Sequence, residues 1–165
     1  CEEKFRACGM GQSRGEGLVE IRVHRVVAVK HDGRHKARRC ANGNLTEIPI
    51  NSVYSGVVSL KSLRTVIFLA ELNDLEAWAT DIGNAYLEAE TSEKVFIVAG
   101  PEFGELEGHT LVIFKALYGL RSSGLRWSEK FSLCLRDMGF FPLLADPCIW
   151  MRRVNDCYEY IAVYV

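Results

Sequence analysis

No stretch of this chain is apolar for long enough to cross a bilayer. The longest run, Val66-Ile67-Phe68-Leu69-Ala70, is a small part of the about 20 residues that a spanning helix needs. The N-terminus, Cys1-Glu2-Glu3-Lys4, lacks the apolar core of a secretory signal and an initiating Met, so the sequence is expected to be a fragment of an intracellular protein with no membrane partner. Its six cysteines, at positions 1, 8, 40, 134, 148 and 157, form no C-x-x-C pair. His24, His31, His35 and His109 stand at no metal-ligand spacing, which excludes a zinc-ribbon reading and predicts reduced, mostly buried thiols. No strand is predicted before Gly9-Met10-Gly11, so it does not read as a dinucleotide fingerprint. A Ser-His-Asp or Cys-His nucleophile cannot be argued from residue order. There is no internal repeat and no low-complexity tract. Nor is there an excess of either charge: 20 Lys and Arg against 21 Asp and Glu, net −1, excludes indiscriminate binding of polyanions by the whole surface.

What is present is an ordinary globular composition, 48% hydrophobic and 25% charged, with length for one domain core or for two small lobes sharing one. The charges are segregated along the chain. Residues 21–40 hold seven Lys or Arg against one acid, Asp32. Residues 71–107 hold ten acids against one base, Lys94, and residues 115–136 hold five bases against one acid, Glu129. Basic patches flanking an acidic middle suit a template-holding cleft around a metal site, and are equally compatible with ordinary solvated surface.

Residues 1–20 are Gly-rich and without periodicity, so little order is expected there. Ile21 to Lys30 reads as a strand, Asp32-Gly33 as a hairpin turn, and His35 to Ala41 as the returning strand. Lys36 and Arg38 lie one residue apart and so share a face of that strand. Ser59 is a plausible N-cap for a helix through Leu72 with Leu60, Leu63, Ile67 and Ala70 on one side. Strands are predicted over Leu75–Asp81, Lys94–Ala99 and Thr110–Lys115. A second helix is predicted from Ser122 or Ser123 to about Met138, ending at Gly139, with Leu125, Trp127, Phe131, Leu135 and Met138 broadly on one side. Cys148–Met151 and Tyr158–Val165 pair around Asn155-Asp156, with Trp127 and Trp150 in the core. Helices and mostly antiparallel strands in mixed order give an α+β class, antiparallel sheet packed on helices.

Asp81-Ile82-Gly83-Asn84-Ala85-Tyr86 carries the chemistry. A carboxylate at a strand end, before a turn of small residues, can offer hard oxygen ligands to a divalent cation, while the amides of Gly83, Asn84 and Ala85 can meet a phosphate. Taken alone, the same Asp81 reads as a helix cap, and the chain as an α+β interaction domain.

The surrounding motifs bear on that choice. In order, the chain has Lys36-Ala37-Arg38, Ser55-Gly56-Val57-Val58, Asp81 to Leu87, Tyr118-Gly119-Leu120-Arg121 with Trp127, Asp146-Pro147-Cys148-Ile149-Trp150, and Tyr164-Val165. This set resembles the reverse transcriptase of copia-type LTR retrotransposons, whose pieces read K-A-R, S-P-V-V, D-x-x-x-A-[FY]-L, Y-G-L-K-Q-S-P-R-x-W, D-P-C-[VI]-[FY] and Y-V-D-D. The match runs from about Val23 to the last residue.

The resemblance implies a partial right-hand polymerase. Fingers would lie at about 21–75 and 90–121 and palm at about 76–89 and 122–165, with thumb and RNase H absent. It implies nucleotidyl transfer with two Mg²⁺ ions (Mn²⁺ as a substitute), deoxynucleoside triphosphates, an RNA or DNA template with primer, and the rest of a retrotransposon polyprotein as partner. The location implied is cytoplasmic, in a virus-like particle where the element is intact. Asp81 would be the first metal ligand, with the Ile82 carbonyl. Lys36 and Arg38 would grip the nucleotide phosphates, and Tyr86 would pack under the sugar and disfavour a 2′-hydroxyl. Gly119 would let backbone approach the template–nucleotide pair beside Tyr118. The sequence stops before the Asp-Asp of Y-V-D-D, so the chain alone is expected not to extend a primer; an inactive remnant retaining at most nucleic-acid binding is the alternative. Departures are Arg39 where an apolar residue is usual, and Gly56 and Gly124 where Pro is usual.

Overall fold

The computed structural model describes residues 5–8, 17–46 and 53–165. In chain order the strands and helices are β1 (Phe5–Cys8), β2 (Val19–Glu20), β3 (Val23–Val29), β4 (His35–Ala41), α1 (Leu60–Leu72), α2 (Ala85–Glu88), β5 (Glu90–Val98), β6 (Thr110–Lys115), α3 (Ser123–Asp137), β7 (Phe141–Pro142), β8 (Ile149–Val154) and β9 (Cys157–Ala162). The mixture of helices and chiefly antiparallel sheets is the α+β class expected. The chain divides into two compact units, one of Cys1–Val53 with Asn84–Trp127, the other of Tyr54–Gly83 with Ser128–Val165.

The first unit is built on a sheet of order β1-β6-β5-β2, antiparallel except where β2 runs parallel to β5. Val95, Phe96 and Ile97 are consecutive and all buried, so both faces of β5 are covered; Leu111 and Ile113 face them from β6. Each such side chain contributes about 1.5–3 kcal/mol on burial. Contrary to the expectation of little order before residue 21, Phe5–Cys8 and Val19–Glu20 are strands of this sheet. Phe5 is paired with Ile113 and set edge-on to Phe103, their ring centres 5.7 Å apart. Four residues carry no period of their own; the pairing that orders them comes from β6, over a hundred positions away. The Gly9–Gly15 part of that segment lies outside the described residues.

β3 and β4 form the expected hairpin as a separate two-stranded sheet, with Lys30 and Gly33 closing the turn and Gly33 at φ +81°. Asp32 accepts from the Arg34 guanidinium at 2.6 Å.

In the second unit, Ser59 caps α1 by accepting from the Ser62 amide at 3.0 Å, as its place in the sequence predicts. The far end closes with Asp74 at φ +53° and the Leu75 amide donating to Ala70, so Asp74 occupies a position where glycine is usual. The inward face is only in part the predicted one. Leu63, Val66, Leu69 and Ala70 are half-buried, whereas Leu60 and Ile67 are 70% and 56% exposed. The strand expected over Leu75–Asp81 does not form either. These residues have no ladder partner among the described residues, and from Glu76 onward they are exposed. An extended segment with unpaired amides stays in water.

α3 ends as predicted at Gly139, φ +85°. The Gly139 amide donates to Arg136 and the Phe140 amide to Leu135, a Schellman motif whose hydrophobic clasp, Leu135 on Phe140, is buried with Trp150. β7-β8-β9 completes the unit, β8 and β9 meeting around Asn155-Asp156 with Asn155 at φ +54°. Trp127 and Trp150 are buried as expected. The thiols are not: among the described cysteines, Cys134 and Cys157 are exposed and Cys8, Cys40 and Cys148 half-buried. No helix among the described residues is long and apolar enough to cross a membrane.

Residues 54–83 group with 128–165; between them the Val58 amide donates to Val163 and the Ser59 amide to the Asp146 carboxylate, at 3.2 and 3.1 Å. Asp146 also accepts from the Ser62 hydroxyl and the Cys148 amide. These bonds, Ser62 foremost, hold its carboxyl below the ordinary value of 3.8. The ionised form therefore stabilises the fold above the unfolded value, and the contribution is lost as pH falls through the lower folded value. The expected outcome is that urea midpoints of the wild type drop more steeply below about pH 4 than those of Asp146→Asn. Parallel curves would show that Asp146 does not anchor α1.

Candidate nucleotide and metal site

The cationic hairpin is pinned to the loop after β6 backbone to backbone. The Ala41 amide donates to the Tyr118 carbonyl at 2.7 Å, and Cys40 bridges Tyr118 in parallel. Two glycines permit the approach: a Cβ on Gly119 would run into the Ala41 carbonyl, and one on Gly43 into the Gly119 carbonyl. Gly119 stands at φ +94°, where L side chains are strained. Gly119 thus makes a close backbone approach to β4. Arg121 adds a bond from its Nε to the Gly43 carbonyl at 2.9 Å. The Ser122 amide and hydroxyl both donate to Glu93 Oε1, at 2.9 and 2.7 Å.

This seam sets the geometry of the side chains. Register pairs Ala28 with Lys36 and Val26 with Arg38, so Lys36 and Arg38 share a face as expected. The Arg38 guanidinium lies 4.7 Å from the centre of the Tyr118 ring. Tyr86, from α2, lies 4.8 Å from the same ring, tilted by 36°. Contacts of these two kinds stabilise by about 0.5–1.5 kcal/mol each. Beside them is a cavity of about 320 Å³ bordered by Asn84, Leu117 and Tyr118 and by three arginines, Arg25, Arg38 and Arg39. No carboxylate lines it among the described residues. Its size is that of a small-ligand site and its lining that of an anion site.

Of the predicted nucleotide set, Arg38, Asn84, Tyr86, Tyr118 and Gly119 are brought together in the first unit. Lys36 is exposed on the hairpin and does not line the cavity. Ala85 opens α2, a helix of four residues capped by Asn84 at φ +55° without a side-chain bond. Asp81 is therefore not its cap, and that reading of the carboxylate falls. Asp81, Ile82 and Gly83 belong to the second unit and are exposed, the boundary between units falling at Gly83–Asn84. The Asp81 carboxylate has no hydrogen-bond or ion-pair partner among the described residues. It can serve as one hard ligand, but among the described residues no three His, Cys, Asp or Glu side chains gather to hold a metal.

Arg25 and Arg39 are the residues the sequence reading missed. Arg39, in the place of an expected apolar residue, is half-buried with its guanidinium 4.2 Å from the centre of the Phe103 ring. Counting back from the Asp32-Gly33 turn would have set it opposite Arg25.

Comparison with known proteins decides what the motif order suggested. Residues 17–165 match the family of reverse transcriptases (RNA-dependent DNA polymerases). The chain belongs to this family. It is 29% identical over 151 residues to the retrovirus-related Pol polyprotein from transposon TNT 1-94 of Nicotiana tabacum, covering 86% of this chain and 11% of the relative. It is 31% identical over 132 residues to the Ty1-BL Gag-Pol polyprotein of Saccharomyces cerevisiae, covering 78% of this chain and 8% of the relative. These matches make it a fragment of a reverse transcriptase domain of the copia type, spanning about a tenth of the length of the curated polyproteins it resembles. No solved structure matches the chain.

The glycine seam is testable in this reverse transcriptase segment. Gly119→Ala adds both a strained φ and a backbone clash, whereas Gly33→Ala, at φ +81° with open space around it, adds the strain alone. Urea unfolding should show a loss of about 1–2 kcal/mol for Gly33→Ala, and a clearly larger loss for Gly119→Ala. Equal losses would show that the seam gives way cheaply.

Proposed function

We propose that this segment selects and positions a deoxynucleoside triphosphate for nucleotidyl transfer in a copia-type polymerase. The observation that carries the proposal is the Arg38–Tyr118–Tyr86 cluster beside a cavity edged by three arginines and no carboxylate. A triphosphate needs cations fixed in place, and Arg38 is fixed by its ring. Arginine's planar fork pairs with phosphate oxygens two at a time. Lys36, free on the same hairpin face, would reach the outermost phosphate as a mobile point charge. Tyr86, held by Tyr118, would pack under the sugar and leave no room for a 2′-hydroxyl. The turn amides of Gly83, Asn84 and Ala85 would complete the phosphate contacts.

Asp81, with the carbonyl oxygen of Ile82, would hold a divalent cation, Mg²⁺ or in its place Mn²⁺. An exposed carboxylate without a partner and a neighbouring carbonyl are the hard oxygen donors such an ion takes. When bound, a pair of such ions would lower the pKa of the primer hydroxyl and stabilise charge on the leaving pyrophosphate. Asp81 would hold an ion, and Arg38 and Lys36 would hold the triphosphate. In this reading residues at about 21–75 and 90–121 belong to the fingers and those at about 76–89 and 122–165 to the palm. An RNA or DNA template with its primer and the rest of the polyprotein are the partners, and the cytoplasm is the place of work.

Two measurements test the reading. Isothermal titration of the chain with a deoxynucleoside triphosphate should give binding that Arg38→Ala weakens by about tenfold, the loss of one charge-assisted contact. Unchanged affinity would remove Arg38 from the site. In the polymerase that contains this segment, Asp81→Asn should abolish primer extension while circular dichroism and unfolding midpoint stay as in the wild type. Retained extension would mean that another carboxylate holds the ion.

A further inference from the structure

Strand β5 does not run in step with β6. Between the pairs Glu90–Lys115 and Val95–Ile113, β5 takes five steps while β6 takes two, so Thr91 to Lys94 arch out of the ladder. The arch is closed locally, with the Glu93 amide donating to the Thr91 hydroxyl at 3.1 Å. Such bulges turn a side chain in a direction that a regular strand does not allow. Here the side chain turned is Glu93, whose Oε1 accepts from both the amide and the hydroxyl of Ser122. Its second oxygen, Oε2, is buried and has no hydrogen-bond partner among the described residues.

A carboxylate oxygen buried without a donor is unfavourable, so Glu93 is held here by what Oε1 does. Capping α3 is not its task. A cap accepts from amides inside the first turn, whereas both donors belong to Ser122, which precedes the helix. Ser122 ends the turn that follows β6. In that turn the Leu117 carbonyl accepts from the Leu120 amide and the Ser123 hydroxyl, at 3.3 and 2.6 Å, and Ser122 and Ser123 are buried. Tyr118 lies inside it. The turn is thus fastened on two sides, to the hairpin root at Ala41 and Gly43 and to β5 at Glu93.

We infer that Glu93 is a positioning residue of the nucleotide site: by gripping Ser122 it fixes the turn that aims the Tyr118 ring, and through that ring it holds the Arg38 guanidinium at the cavity. The seam to β4 fixes where the turn meets the hairpin. The Ser122 bonds fix its far end, so the ring between them has one direction. That ring stands 4.7 Å from the Arg38 guanidinium and 4.8 Å from the Tyr86 ring, a geometry that a small rotation of the turn would break. Glu93 itself does not line the cavity. Its consequence for binding rests on the reading of that cavity as a triphosphate site; its hold on Arg38 does not.

The test uses the 165-residue chain, with the Arg38 side-chain protons followed by NMR and the binding of deoxyadenosine triphosphate (dATP) by isothermal titration. In the wild type the ring current of Tyr118 should shift the Arg38 protons upfield. Glu93→Ala should return them toward the unshifted position and raise the dATP dissociation constant about fivefold, the net contribution of one hydrogen bond. Glu93→Gln keeps an oxygen for Ser122 and should retain both wild-type values. Ser122→Ala loses the hydroxyl donor alone and should move both readouts the same way by less; it carries the test if Glu93→Ala does not fold. Added to Arg38→Ala, Glu93→Ala should weaken binding little further, because one residue acts through the other. A purely structural role would lower the number of binding-competent molecules and leave the dissociation constant and the Arg38 shift alone. Unmoved Arg38 protons in Glu93→Ala, or in Ser122→Ala where that carries the test, would overturn the inference. So would a Gln variant as impaired as the Ala one, or losses that add in the double variant. Binding of dATP that depends on Arg38 but not on Glu93 sinks this inference alone. A chain that binds no dATP, but whose Arg38 protons still move in Glu93→Ala, sinks the triphosphate reading alone.

Discussion

Everything the first unit offers a ligand depends on one contact between two stretches of backbone, the Ala41 amide on the Tyr118 carbonyl with Gly119 and Gly43 on either side of it. An isolated two-stranded ribbon is marginal in water. This hairpin has few buried side chains: Ala41 at its root is covered, while the strands toward the turn are exposed. Pairing with the loop after β6 gives it a third backbone neighbour. It also fixes which hairpin residues meet which ring, since a slip of one residue would exchange the faces carrying Arg38 and Arg39. The two glycines are therefore not turn residues in the ordinary sense. They are places where only a hydrogen atom fits between two chains.

The parts of the fold that were legible in the sequence have local causes. The hairpin was readable from Asp32-Gly33, α1 from Ser59, the end of α3 from Gly139 and the β8–β9 turn from Asn155-Asp156; in each, a few neighbouring residues dictate φ or cap a free amide. What was not legible depends on distant partners. β1 is a strand because β6 offers it an edge, and Leu75–Asp81 is not one because nothing offers it one among the described residues. The rotation of α1 has the same origin. Periodicity showed an apolar face, but tethers at Val58 and Ser59, remote in sequence from Val163 and Asp146, fix the helix end from which the buried face follows.

The site divides along the same line. Motif order pointed to Arg38, Asn84, Tyr86, Tyr118 and Gly119, and these do gather in one unit although they are spread over more than eighty positions. It gave no weight to Arg25, because one arginine on a strand has no meaning until the register names its opposite. Arg39 drew attention only as a misfit. A leucine there would have packed; the arginine packs as well, by laying its guanidinium on Phe103, and keeps its charge at the rim of the arginine-lined cavity.

That side chain is placed by the frame behind it. Arg25 and Arg39 stand opposite each other across the ladder, and the Arg39 guanidinium is packed on Phe103. The register that sets them there is held at the root of the hairpin by the Ala41–Tyr118 seam. Backbone hydrogen bonds and close-packed glycines carry no charge, so this frame is far less sensitive to salt than the cations it positions.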